Sequence, residues 1–319
     1  VSMYSLLLAI IYLAFISLGL PDSVLGSAWP VIHQDFNVPL SFLGIVTMII
    51  SFGTIISSLL SDRLTRKLKT GPVTAISVLL TAAALTGFSF ADRYWLLCVW
   101  AVPYGLGAGA VDAALNNYVA LHYEARHMSW LHCFWGVGTI VSPYIVSYSI
   151  AALNNWSMGY RIVSYIQFAL AAVLLLTLPI WKKCGRNGHA RQEVVPAKLT
   201  FRQKLSIKGV KYVLLGFFAY CAFEATFFGW VSSYLVGSRA ISEDRAAAFS
   251  SLFFIGLTVS RFIAGLFANR LGDRKMIRIG IGIVFLSVAM IALPFESDYP
   301  CLAGFVVAGF GCGPIYPSI

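Results

Sequence analysis

SLLSDRLTRKLK, from Ser58 to Lys69, and GLFANRLGDRKM, from Gly265 to Met276, are two versions of one charged signature. Each closes a long apolar segment. Asp62-Arg63-Leu64 falls on Asn269-Arg270-Leu271, an offset of 207 residues, and Lys67 falls on Arg274. A repeat of that length in so apolar a chain predicts two homologous bundles of membrane helices.

Composition supports this reading. Of 319 residues, 59% are hydrophobic and 11% charged, where soluble domains carry about 25% charged residues. The apolar residues arrive in helix-length blocks of the size that crosses a bilayer, about 20 residues. The ~10-residue alternating strands of a membrane β-barrel are absent. Spans are predicted near residues 4–32, 40–61, 72–90, 94–121, 129–151, 159–181, 211–236, 246–268, 278–295 and 300–319. The first block lacks a basic leader region and holds Pro21 and Asp22, so it reads as a retained helix.

The formal charge of +10 reports topology and gives no reason to expect a nucleic-acid partner. Of the 23 lysines and arginines, 18 fall in loops on one side of the predicted spans. By the positive-inside rule those loops and the N-terminus are cytoplasmic. The polar, basic stretch 182–210 reads as a cytoplasmic linker between an N-terminal six-helix bundle, residues 1–181, and a C-terminal bundle, residues 211–319. Six spans precede the linker and four follow it, so the second bundle is expected to be incomplete. The six cysteines have no metal or redox spacing and read as packing thiols.

At this point the residues resemble the major facilitator superfamily. The signature at Ser58–Lys69 is similar to its G-x-L-a-D-R-x-G-R-R pattern, with Ser58 and Thr65 where glycines are usual. The second copy keeps Gly265 and Gly272 but has Asn269 in place of the acid. Within the superfamily the chain resembles the fucose permease group of sugar–proton symporters. The segments that carry this likeness are GLPDSVLGSAWP (Gly19–Pro30), GLGAGAVDAALNNYVALHY (Gly105–Tyr123), LHCFWGVGTIVSP (Leu131–Pro143), FAYCAFEATFFGWVSSYL (Phe218–Leu235) and the terminal GCGPIYPS. The resemblance implies an all-α major facilitator fold, with the second bundle ending after about four helices.

Three acids lie inside predicted spans: Asp22, Asp112 and Glu224. A carboxylate at membrane depth is costly unless paired, hydrated or neutralised, so its presence asks for a reason. At helical spacing Phe15, Asp22 and Trp29 share a stripe, Asp112 shares a face with Asn116, and Glu224 lies between Tyr220 and Phe228. Such faces suit a polar cavity, with carboxylates and amides for solute hydroxyls and aromatic rings for an apolar face. The resemblance implies coupling or substrate binding at Asp22 and Asp112, although the permease has Glu where this chain has Asp112. The plainer alternative is that Asp22 satisfies backbone groups freed by Pro21.

Arg261 reads either as the counter-ion of a cavity acid or as a snorkelling brace for the second signature. His132 reads either as a proton relay or as a hydrogen-bond partner of Asn116 or Asn117. The resemblance implies that Asp62, Arg63, Arg66 and Lys67, with Asn269, Arg270, Asp273 and Arg274 in the second copy, form a cytoplasmic latch favouring the outward-open state.

The glycines at Gly105, Gly107 and Gly109 lie within an apolar helix with no strand before it, so they are not a dinucleotide loop. No P-loop, paired-histidine site or nucleophile elbow occurs, and no enzyme activity, cofactor or metal is expected. The expected protein is a monomeric plasma-membrane transporter. It moves a small polar solute, sugar-like, with a proton by alternating access. A proton-coupled exporter of the same fold is the alternative, and a membrane sensor or enzyme is the reading from another class.

Overall fold

A bilayer offers backbone N–H and C=O groups no outside partner, so the apolar blocks must fold as helices. The computed structural model of the chain describes residues 3–187, 203, 206–294 and 296–318. The helices are α1 (Met3–Asp22), α2 (Val24–Asp35), α3 (Leu43–Leu68), α4 (Thr70–Ser89), α5 (Tyr94–His122), α6 (Ala125–Leu153), α7 (Trp156–Leu176), α8 (Leu178–Asn187), α9 (Val210–Arg239), α10 (Glu243–Phe249), α11 (Ser251–Leu271), α12 (Asp273–Ala292), α13 (Tyr299–Cys312) and α14 (Ile315–Ser318). Among the described residues, nine segments are long and apolar enough to cross a membrane, and Tyr299–Cys312 is a shorter apolar helix.

Several boundaries differ from the sequence expectation: the eighth span breaks at Ser250 into α10 and α11, and the tenth breaks at Gly313 and Pro314 into α13 and α14. The first span breaks at Ser23 into α1 and α2. The sixth stops at Leu176, and its expected end belongs to α8. The first signature is not a loop, because α3 continues through it to Leu68. The expected linker, residues 182–210, lies mostly outside the described residues.

In the first half α3 and α4 pack on α5, α1 on α6, and α4 on α7; in the second, α11 and α12 pack on α13. Glycines let these helices touch backbone to backbone. A Cβ on Gly105 would lie 2.3 Å from the Ile50 carbonyl oxygen, and one on Gly309 would lie 1.9 Å from that of Phe253. One on Gly109 would meet Ser57 Oγ at 2.4 Å, and one on Gly313 would meet Ser260 Oγ at 2.5 Å. The second half thus repeats the packing of the first at an offset of 203 or 204 residues. That is one helical turn short of the 207 read from the signatures. The helix ends follow the packing, since Leu68 and Leu271 are also 203 residues apart, and it is the charged signature that is displaced. Gly272 accepts the positive φ (71°) that stops α11 after Leu271, and Lys69 takes φ 71° itself where α3 stops after Leu68.

Proline shapes α1. Pro21 has no N–H, so the Ser17 carbonyl loses its helical partner. The Gln167 side chain amide donates to it, and Ser17 Oγ donates back to Gln167 Oε1. On α6, Pro143 orphans the Thr139 carbonyl in the same way, and Ser23 Oγ donates to it at 2.9 Å. Asp22 is therefore not needed to cap the break.

The halves meet at two places. Toward the end away from the basic loops, α2 lies against α9 and α10, and α6 runs against α10 and α11. The α2 seam is built from small residues. A Cβ on Gly26 would be 1.9 Å from the Phe228 carbonyl oxygen. The Ser27 and Ser250 hydroxyls lie 2.8 Å apart, and Ser232 Oγ donates to the Ser27 carbonyl at 3.1 Å.

Candidate functional site

Two chambers lie between the halves and share Asp22, Ile50, Tyr104, Glu224 and Phe228. The larger, of about 610 Å3, is walled mostly by apolar side chains of α2, α3 and α9. The smaller, of about 240 Å3, is polar and lies toward the basic end, where Asp112, His132, Trp135, Arg261 and Tyr316 join the lining.

Asp22 ends α1 where the helix breaks, which turns its carboxylate into the junction of the two chambers. Oδ1 accepts a hydrogen bond from Tyr104 Oη and Oδ2 one from Trp135 Nε1, both at 2.9 Å. Trp135 has a second role, since its ring carries the Arg261 guanidinium 5.1 Å from its centroid. Arg261 forms an ion pair with Glu224 at 3.2 Å and also lies 5.6 Å from the Tyr316 ring. Tyr220, one turn before Glu224, turns its hydroxyl toward this pair. A chain of contacts therefore runs from Tyr104 through Asp22 and Trp135 to Arg261 and Glu224, crossing from one half to the other.

Of the two readings of Arg261, the counter-ion is what the fold builds, with Glu224 as its acid. Asp112 accepts from Asn116 Nδ2 at 2.9 Å, while Asn116 Oδ1 is buried without a protein partner. His132 makes no hydrogen bond to Asn116 or Asn117. Its ring stands edge-on to Phe15 and Tyr316, at 5.8 and 5.7 Å.

Trp29 is a correction. It is fully buried, lines neither chamber, and donates from Nε1 to the Leu40 carbonyl at 2.8 Å. Phe15, Leu18, Asp22, Leu25 and Gly26 keep to one stripe through Ser23, whose backbone stays right-handed helical (φ −95°, ψ −6°), and the chambers end before that stripe reaches Trp29.

The signature residues lie apart from the chambers. Asp62 and Arg66 pair within one turn of α3 at 2.5 Å, with both side chains about 70% exposed. Such a pair contributes at most about 1 kcal/mol. Arg63, Lys67, Asp273 and Arg274 are exposed as well, and the side chains of Asn269 and Arg270 lie outside the described residues. Among the described residues no ion pair joins the signature of one half to the other.

Tyr104, Trp135 and Tyr316 escaped the sequence reading. An indole N–H in an apolar helix must find an acceptor, and Trp135 answers that requirement at Asp22. Tyr316 could have been found from the repeat, because the 204-residue offset places it at the position of Asp112.

Helices paired through glycine, a repeat relating the halves and a buried charged chamber at their interface define a secondary transporter. The sequence profile of the Major Facilitator Superfamily matches residues 11–319, and the chain belongs to that family. The Glucose/mannose transporter GlcP of Bacillus subtilis (strain 168) is 23% identical over 315 residues, covering 96% of this chain and 77% of that protein. Among solved structures, the nucleoside transporter NupG superposes with a TM-score of 0.72 at 15% identity, over 97% of this chain and 80% of that one. The proton:xylose symporter XylE bound to 6-bromo-6-deoxy-D-glucose gives 0.71 at 15% identity, over 98% and 80%. These relatives are transporters and not enzymes. The chain is accordingly a multi-pass integral membrane protein that carries small molecules.

Proposed function

We propose that this transporter moves a small polar solute, a sugar, together with a proton, as the fucose permease resemblance implies, and that Asp22 carries the proton. The observation behind this reading is the placement of Asp22. It sits where both chambers join, held by one hydroxyl and one indole donor, and the indole in turn touches the cation of the opposite half. A proton arriving on the carboxylate removes the charge that Tyr104 and Trp135 hold, and so loosens a contact between the halves. Asp112 and Asn116 offer the acceptor and donor atoms that suit sugar hydroxyls. Residues 1–181 and 211–319 act as the two rocking units, with the basic linker 182–210 and the N-terminus in the cytoplasm. The protein works as a monomer in the plasma membrane, and the exposed signature residues form the latch when the basic end closes.

Asp22→Asn keeps the shape of the side chain but cannot take up or release a proton. In this variant solute-driven alkalinisation of the medium is expected to vanish while exchange of internal for external solute survives. Asp112→Asn is expected mainly to weaken solute binding. Full proton-coupled uptake by Asp22→Asn would refute the assignment and move the carrier to Asp112 or Glu224. The apolar wall of the larger chamber favours a second reading, export of a less polar solute. Solute accumulation against an imposed proton gradient, in vesicles of both orientations, separates the two.

A further inference from the structure

Among the residues lining the two chambers, Arg261 is the only lysine or arginine. It is nearly sealed, with a side chain 7% exposed. Its guanidinium is flanked by the rings of Trp135 and Tyr316. Of its donors, Nη2 is taken by Glu224 at 3.2 Å, and Nε is buried with no partner in the protein. A planar cation of this kind, stacked on aromatic faces with donor capacity to spare, is suited to grip a carboxylate through two parallel bonds. Glu224 occupies that cation. The charged and titratable groups facing the same space from the first half are Asp22 on α1, Tyr104 and Asp112 on α5 and His132 on α6. With Arg261 already matched by Glu224, the remaining acids leave the chamber with an excess of negative charge. An arriving anion meets like charge and finds its natural partner taken.

We propose that Glu224 sets the charge selectivity of the chamber: by holding Arg261 it admits uncharged polyhydroxylated solutes and turns away carboxylated solutes of the same shape. This inference rests on the sugar reading above and adds to it the chemical class of sugar accepted.

D-Glucose and D-glucuronate are the probes, since they differ only in a hydroxymethyl group against a carboxylate at carbon six. Binding to the full chain in lipid vesicles is read from tryptophan fluorescence, and uptake from radiolabel. The wild type is expected to favour glucose over glucuronate at least tenfold. Glu224→Gln should shift that ratio at least tenfold toward glucuronate. Arg261→Gln and the double variant Glu224→Gln/Arg261→Gln should show no such gain. A ratio unchanged in Glu224→Gln overturns the proposal, and so does a gain that persists in the double variant. If Glu224→Gln is too unstable for binding work, its unpaired arginine should be rescued in thermal melts by glucuronate and not by glucose. Rescue by both or by neither also overturns the proposal. A wild type that binds neither probe refutes the sugar reading itself, and the inference falls with it.

Discussion

Gly26→Ala tests how the end away from the basic loops closes. The added methyl would sit 1.9 Å from the Phe228 carbonyl oxygen, 3.0 Å from its carbon and 3.1 Å from Gly229 Cα. All of these are backbone atoms, so no side chain can swing away. Contacts under 3.0 Å do not persist, and α2 and α9 must part by more than 1 Å at this point. The Ser27–Ser250 and Ser232–Ser27 hydrogen bonds, now 2.8 and 3.1 Å, span the same seam and would be stretched past bonding distance. Each is worth about 0.5–1.5 kcal/mol net. The closed arrangement should therefore lose roughly 1–3 kcal/mol, a shift of about 5- to 150-fold in the ratio of closed to open. Spin labels at the exposed positions Ser41 and Ser238, one in each half, report the separation by double electron–electron resonance. Gly26→Ala should lengthen the main distance and slow transport by the same order. An unchanged distance distribution together with normal transport would show that this seam does not hold the closed state.

Two further outcomes concern the helix breaks. Gln167→Leu removes the donor that caps the Ser17 carbonyl and should lower stability by about 1–3 kcal/mol, read as a drop in thermal melting temperature in detergent; a neutral result would mean that another donor reaches the carbonyl. Lys69→Gly places glycine where the backbone has φ 71° and ψ 160°, a region costly for any other residue by about 1–3 kcal/mol, so the melting temperature should rise.

The fold was legible because hydrophobic blocks of bilayer length leave little choice, and the basic residues gather at alternate block ends. The chemistry was legible only where it carried charge. Asp22, Asp112, Glu224 and Arg261 all line the chambers, since a charge inside an apolar helix signals itself. The pairing of Glu224 with Arg261 was not, because those residues sit on different helices and only tertiary packing brings them together. Trp29 was misplaced because a helical wheel gives the face a residue takes but not how far along the span the cavity extends, and the chambers end at Leu25 and Gly26. The one-turn slip between the signature offset and the packing offset is a shift of the charges alone: the helix ends keep the packing register, with positive φ at Lys69 and Gly272, and the signature lies one turn deeper within α3 than within α11.

Those glycine contacts also determine what the moving parts are. Where two helices touch through bare backbone, as at Gly105 on Ile50 and Gly309 on Phe253, no side chain lies between them to act as a bearing. Neither member slides or rolls without a hard collision, so each pair behaves as a single girder. α3 with α5 forms one girder and α11 with α13 its twin. Within the first half the interruptions lie instead on α1 and α6, where prolines free carbonyls that Gln167 and Ser23 cap. The stiffness of the machine is thus encoded in residues that have no side chain at all.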